Sequence, residues 1–170
     1  MTVAPDFALK NTSGGTLRLS EYRQSAPVLL GFFRRDCPTS RLALPFIERL
    51  YRRHGRSMRF LGILQGADRQ ETAALAKELG LMMPLVLEEA PAYEASAALG
   101  VKALPTLLLL DAEGRIQDTA TVTGFSKRGY QALADRLADL SGKLPEPLFD
   151  SLASTPEAVA GTPSRAPHSP

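Results

Sequence analysis

The chain holds one cysteine, Cys37, in a setting that bears on thiol chemistry: residues 35–41 read RDCPTSR. An apolar run, Pro27-Val28-Leu29-Leu30-Gly31-Phe32-Phe33, precedes it and a helix-like pattern follows. Pro38 suits the first helical position, where its missing N–H would have no intrahelical partner. A cysteine at that junction faces unpaired amides and the positive end of the helix dipole, and both favour thiolate over thiol. Arg34, Arg35 and Arg41 add positive charge, while Asp36 acts in the opposite direction. A free thiol titrates near about 8.5, and such settings lower it by roughly one to several units. A lone cysteine is ordinarily a small buried hydrophobe; the strand-Cys-Pro-helix arrangement argues for a reactive one. Ser40 stands three residues on, either as a hydrogen-bond donor to a Cys37 thiolate or as a plain polar residue of the first turn.

Other chemistry is poorly represented. Two histidines, His54 and His168, lie far apart and have no second cysteine beside them, so no zinc site is expected. Asp68, Glu71, Glu88 and Glu89 form no acid–base pair in the sequence. The arginines at 41, 49, 52, 53, 56 and 59 read as the solvated face of an amphipathic helix. A formal charge of +2 is too small to imply a nucleic-acid partner. No window approaches the roughly 18 consecutive apolar residues of a membrane span. The first twenty residues lack the basic start and apolar core of a signal peptide, so the expected compartment is the cytoplasm.

The elements that must position Cys37 follow from periodicity. Residues 27–33 read as a central strand covered on both faces. Arg41 to His54 places Leu42, Phe46, Ile47 and Leu50 on one helical face. Met58 to Leu64 reads as a second buried strand. Asp68 with Glu71 predicts a capped helix start, and Gly80 its stop. A short strand over Pro84 to Leu87 and a short helix over Ala92 to Leu99 come next. Thr106 to Leu110 reads as a strand, a turn falls at Asp111-Ala112-Glu113-Gly114, and Ile116 to Val122 returns antiparallel. Gly129 to Leu140 closes as an amphipathic helix. The order is that of an α/β domain with a mixed sheet. From Pro145 onward the chain is rich in proline and small polar residues, too poor in apolar surface to offset the entropy of ordering. The expected division is a domain over residues 2–142 and a disordered tail over 143–170, with Leu148, Phe149 and Leu152 as its only anchors.

Several stretches together resemble the redoxin domains, the group that holds peroxiredoxins and TlpA-type thiol–disulfide oxidoreductases. Residues 4–22, APDFALKNTSGGTLRLSEY, look like the opening of such domains. Cys37-Pro38-Thr39-Ser40 sits where their Cys-x-x-Cys motif lies, and Pro45 matches a TlpA-type helix proline. Gly100-Val101-Lys102-Ala103-Leu104-Pro105-Thr106 resembles the segment that carries the cis-proline of thioredoxin folds, and Leu107 to Ile116 the strand and turn after it. The resemblance covers about residues 3 to 141. It implies a thioredoxin-like fold, a central mixed β-sheet flanked by helices, with a cis Leu104–Pro105 bond beside Cys37.

Departures from the pattern decide between activities. Peroxiredoxins place Thr or Ser three residues before the reactive cysteine, and an arginine just before the Thr-led strand. This chain has Arg34 and Leu104 there, so peroxide chemistry loses its stabilising donors. TlpA-type proteins place Trp, Glu and a resolving Cys where this chain has Asp36, Ala43 and Ser40. A dithiol enzyme frees its mixed disulfide with that second thiol. With serine there, Cys37 acts as a monothiol freed by an external thiol, or Ser40 replaces an original cysteine, or the fold serves only to bind peptides. The reading favoured is thiol–disulfide exchange without metal or organic cofactor. Cys37 and Ser40 form its catalytic pair, Arg34, Arg35 and Arg41 stabilise the thiolate, and Pro38, Thr39, Leu104, Pro105 and Thr106 contact substrate. The implied partners are protein or small-molecule thiols and disulfides, with glutathione or a thioredoxin-type protein as reductant. The alternatives are an antioxidant thiol peroxidase and a non-catalytic binding module.

Overall fold

Apolar alternation on both sides of one strand organises the domain. In the computed structural model, which describes residues 2–150 and 154–167, Val28–Phe33 has no exposed residue. Leu29 and Phe33 enter one apolar cluster, and Val28, Leu30 and Phe32 enter the other. A strand that is apolar at every position fits only where both faces are covered.

The elements run β1 (Ala8–Asn11), β2 (Thr16–Arg18), α1 (Leu19–Arg23), β3 (Val28–Phe33), α2 (Pro38–His54), β4 (Arg59–Gln65), α3 (Arg69–Leu79) and β5 (Leu85–Glu88). They continue with α4 (Glu94–Ala98), β6 (Ala103–Leu104), β7 (Thr106–Leu110), β8 (Val122–Thr123), β9 (Phe125–Ser126), α5 (Lys127–Leu140), β10 (Ala158–Val159) and β11 (Thr162–Pro163). The main sheet has the order β2-β1-β5-β4-β3-β7-β8. Strands β3, β4 and β5 are parallel, whereas β7 runs antiparallel to β3. This is the mixed sheet that the resemblance implies. One face packs under α2, α3 and α5 through Leu44, Ile47, Leu75, Tyr130, Leu133 and Leu137. The other is covered by α1, α4 and the N-terminal strand through Leu19, Ala95, Phe7 and Leu9.

Local chemistry explains the boundaries. The Asp68 carboxylate accepts the Glu71 amide at 2.7 Å, and the Glu71 side chain accepts the Asp68 amide at 3.2 Å, which starts α3. Gly80 ends it at φ 66°. Asn11 accepts the amides of Ser13 and Gly15 at 3.1 and 2.9 Å and so turns β1 back into β2, a hairpin that periodicity missed.

Two expectations differ from the structure. The strand expected over residues 116–122 is interrupted: Ile116 makes a single bridge to Leu110, Asp118–Ala120 forms a 3₁₀ turn, and only β8 rejoins β7. Composition also predicts a tail held only near its start. Leu148 is buried and Phe149 packs on Phe46 at 4.7 Å and edge-on to Phe125 at 5.8 Å, as expected of the anchors, but the contacts do not end there. Beyond it, β10 pairs with β9 and β11 with β6. Backbone pairing, which leaves little trace in composition, supplies these contacts. Leu152 and His168 lie outside the described residues.

Candidate functional site

Cys37 is the N-cap of α2, with φ −91° and ψ 115°, and Pro38 opens the helix. Its sulfur takes the place of the usual capping oxygen and accepts the Ser40 amide at 3.3 Å. The Ser40 hydroxyl oxygen in turn accepts the Arg34 amide at 3.1 Å, which closes the turn between β3 and α2. Both Cys37 and Ser40 are fully buried. Across the site the Leu104–Pro105 bond is cis, and the thiol reaches the Leu104 carbonyl at 3.6 Å.

Burial pushes the Cys37 thiol up. Hydrogen bonds from the Ser40 side chain, the Thr162 hydroxyl and the amides of Ser40 and Thr39 outweigh it and bring the thiol below its ordinary value. The three arginines expected to do this work are engaged elsewhere. Arg34 binds Asp36 at 2.7 Å, Arg35 pairs with Glu71, and Arg41 meets Glu78 at 2.6 Å. Each guanidinium is thus turned to a carboxylate, and hydrogen-bond donors at the helix start hold the sulfur instead.

The residues expected to contact substrate divide. Leu104 and Thr39 stand beside the sulfur, and both bear on the crossing C-terminal segment: Leu104 pairs with Thr162, and the Thr39 hydroxyl donates to the Ala160 carbonyl at 2.8 Å. Pro38 is exposed at the mouth. Thr106 faces away, with its hydroxyl on the Ala103 carbonyl at 2.7 Å and near the Thr123 hydroxyl at 3.3 Å. Pro105 gives its carbonyl to the Gly124 amide at 2.8 Å.

Sequence reading missed Thr162 and Gln65. The Thr162 hydroxyl lies 2.9 Å from the Cys37 sulfur. Gln65, buried at the end of β4, donates to Ser164 Oγ at 2.8 Å and accepts the Arg165 amide at 2.8 Å. Behind it, Gln65 also reaches Ser96 at 3.3 Å, and Ser96 donates its amide to Glu88 at 2.9 Å. Burial raises the Glu88 carboxyl above its ordinary value even though Ser96 and Gln65 bond to it. A polar Gln65 directly after the apolar run at residues 60–64 was the one available sequence signal; nothing marked Thr162.

Comparison with known proteins gives the family and the fold. Residues 2–119 match the AhpC/TSA family. The chain is 28% identical over 123 residues to thiol-disulfide oxidoreductase ResA of Geobacillus thermodenitrificans, covering 72% of this chain and 69% of that protein. A thiol-disulfide oxidoreductase structure from Bacteroides fragilis superposes with a TM-score of 0.69 at 26% identity, over 82% of this chain and 99% of that one. A Sinorhizobium meliloti protein described as hypothetical superposes with a TM-score of 0.71 at 19% identity, over 98% of this chain and 93% of its own. That last likeness of fold extends past residue 150.

Proposed function

The chain belongs to the AhpC/TSA family, within it to the thioredoxin-like thiol–disulfide oxidoreductases of the ResA type, and from that premise we propose that Cys37 carries the exchange alone. The Cys37 thiolate attacks one sulfur of a substrate disulfide; a new S–S bond forms, and the other substrate sulfur leaves as thiolate. Cys37 is the sole cysteine, so the second step takes an external thiol. That thiol's sulfur attacks the substrate sulfur of the mixed disulfide and forms a new S–S bond to it, so Cys37 leaves as thiolate. A second external thiol then attacks the first one's sulfur, frees the substrate as a thiol and leaves the two external thiols joined as a disulfide. Glutathione or a thioredoxin-type protein of the cytoplasm supplies these thiols. Ser40 serves as a positioning residue, through its amide on the sulfur and its hydroxyl on the preceding turn.

The observation that carries the reading is the sulfur at the start of α2, held by donors that favour the thiolate. Arg34 and Leu104 offer no arrangement that would prefer a peroxide: the Arg34 guanidinium is bound to Asp36 and to the Pro163 carbonyl. The test is the pH dependence of adduct formation with glutathione disulfide, read by intact mass, beside the same measurement with hydrogen peroxide. A midpoint below the free-thiol value of about 8.5, with the disulfide favoured over peroxide, is expected. A midpoint at or above that value removes the nucleophile, and faster oxidation by peroxide replaces exchange with peroxidase chemistry.

A further inference from the structure

Cys37 is fully buried because residues 157–165 lie across it. Thr162 pairs antiparallel with Leu104 and Pro163 with Ala103, and the Ser164 amide donates to the Lys102 carbonyl at 2.9 Å. Upstream, Ala158 and Val159 pair with Ser126 and Phe125. Most of the remaining contacts are to the backbone of the crossing segment. Thr39 donates to the Ala160 carbonyl at 2.8 Å, Arg34 to the Pro163 carbonyl at 3.4 Å, and Gln65 accepts the Arg165 amide at 2.8 Å. Main-chain groups are common to every polypeptide, so a surface that binds them accepts any extended segment of suitable side chains.

Besides the Ser164 hydroxyl on Gln65 and the ion pairs of Glu157 and Arg165, two positions beside the thiol depend on residue type. Thr162 directs its hydroxyl to the sulfur at 2.9 Å, so a cysteine there would bring its own sulfur toward the roughly 2.05 Å of a disulfide. At Gly161, a Cβ would stand 2.6 Å from the Leu104 carbonyl oxygen and 3.1 Å from its carbon, backbone atoms that have no free rotation to yield.

We propose that residues 157–165 hold, in the free protein, the groove in which a substrate polypeptide pairs with Leu104, with Thr162 at the place of the substrate's cysteine. This rests on the reading of Cys37 as the nucleophile. Substrate enters by displacing the segment, and its fit selects extended segments with glycine immediately before the cysteine. The segment is suited to displacement, because its strands are two residues long, both partners of its Arg165–Asp36 ion pair are exposed, and Glu157 is the exposed partner of its pair with half-buried Lys127. While it stays in place it shields the thiol from other oxidants.

The test compares the 170-residue chain with its Gly161→Val and Thr162→Cys variants. Gly161→Val should raise the rate of Cys37 alkylation by iodoacetamide at least about tenfold, equivalent to roughly 1.4 kcal/mol. Treated with glutathione disulfide, Thr162→Cys should close an internal disulfide: its two thiols give up their hydrogens and one glutathione disulfide leaves as two glutathione. The Gly161→Val chain should also exchange at least about tenfold faster with a peptide disulfide carrying Gly-Cys than with one carrying Val-Cys. Equal alkylation rates in parent and Gly161→Val, or no internal disulfide in Thr162→Cys, overturn the proposal, and equal peptide rates overturn the glycine selection. If the equal rates are both fast, with a midpoint below about 8.5, Cys37 remains the nucleophile and only the covering segment is lost. If Cys37 of Gly161→Val reacts with neither reagent, both readings fall.

Discussion

Strand β3 and the segment at residues 158–163 both lead to Cys37, from opposite sides, and different forces hold them. β3 buries all six of its residues between two apolar clusters. In β10 and β11 every residue is half-buried or exposed, and backbone pairing with β9 and β6 supplies most of the contact. Apolar burial stabilises in proportion to the area removed from water, at about 25 cal/mol per Å². A hydrogen bond exchanged for one with water contributes only about 1 kcal/mol net. The sheet is therefore part of the unit that unfolds as a whole, while the covering segment can open by itself. A site built this way keeps a rigid thiol and a removable cover.

The largest effect should come from the sheet side. Phe60→Ala removes a fully buried ring that meets Tyr51 edge-on at 5.5 Å, and should cost about 3–5 kcal/mol in urea unfolding. A loss below about 1 kcal/mol would mean that the sheet is no better packed than the cover.

Next comes a pH effect at the far end of α2. His54 is buried with its Nδ1 3.1 Å from the Ser141 hydroxyl. Burial, then the charges of Lys143 and Arg53, lower its pKa to about 4, against an opposing contribution from Glu146. The unfolded chain takes up the proton near 6.5, so it binds more protons than the native state between there and about 4. Stability present above pH 6.5 should thus decline by about 3 kcal/mol as pH falls through that window. Urea midpoints from pH 7 to 4 measure it, and His54→Gln should flatten the slope. Alkylation of Cys37 should not follow the same window, because the cover opens without exposing His54.

Asp68→Ala removes the cap of α3 and should cost about 1 kcal/mol, visible as a lower midpoint without a change in slope. Smallest of all, Glu157→Gln breaks the ion pair of the exposed Glu157 to Lys127 and should shift global stability by less than about 0.5 kcal/mol. The contrast sharpens by amide exchange: the Ser164 amide, on Lys102, should exchange well before those of Leu29 and Leu30, which need global opening. Equal protection would join the cover to the core.

Much of the fold was legible in the sequence because its signals are local. Unbroken apolar runs marked β3, β4 and β7, the Asp68–Glu71 spacing marked the start of α3, and Cys37-Pro38 marked the first turn of α2. Each depends on side-chain polarity or backbone preference within a few residues, which the order of residues records directly. What holds the sulfur was legible only in part: the amides at the start of α2 and Ser40 were expected and are there, but the role of the arginines and of Thr162 was not. Arg34, Arg35 and Arg41 lie near Cys37 in sequence, yet Asp36, Glu71 and Glu78 claim them, two of these partners more than thirty residues away. Thr162 stands 125 positions from Cys37 and reaches it through main-chain pairing with Leu104. A pairing of backbone with backbone makes almost no demand on residue type, so composition read residues 143–170 as a tail. Only the tertiary structure, by laying that backbone against the edge at Leu104, decided that residues 157–165 cover the thiol.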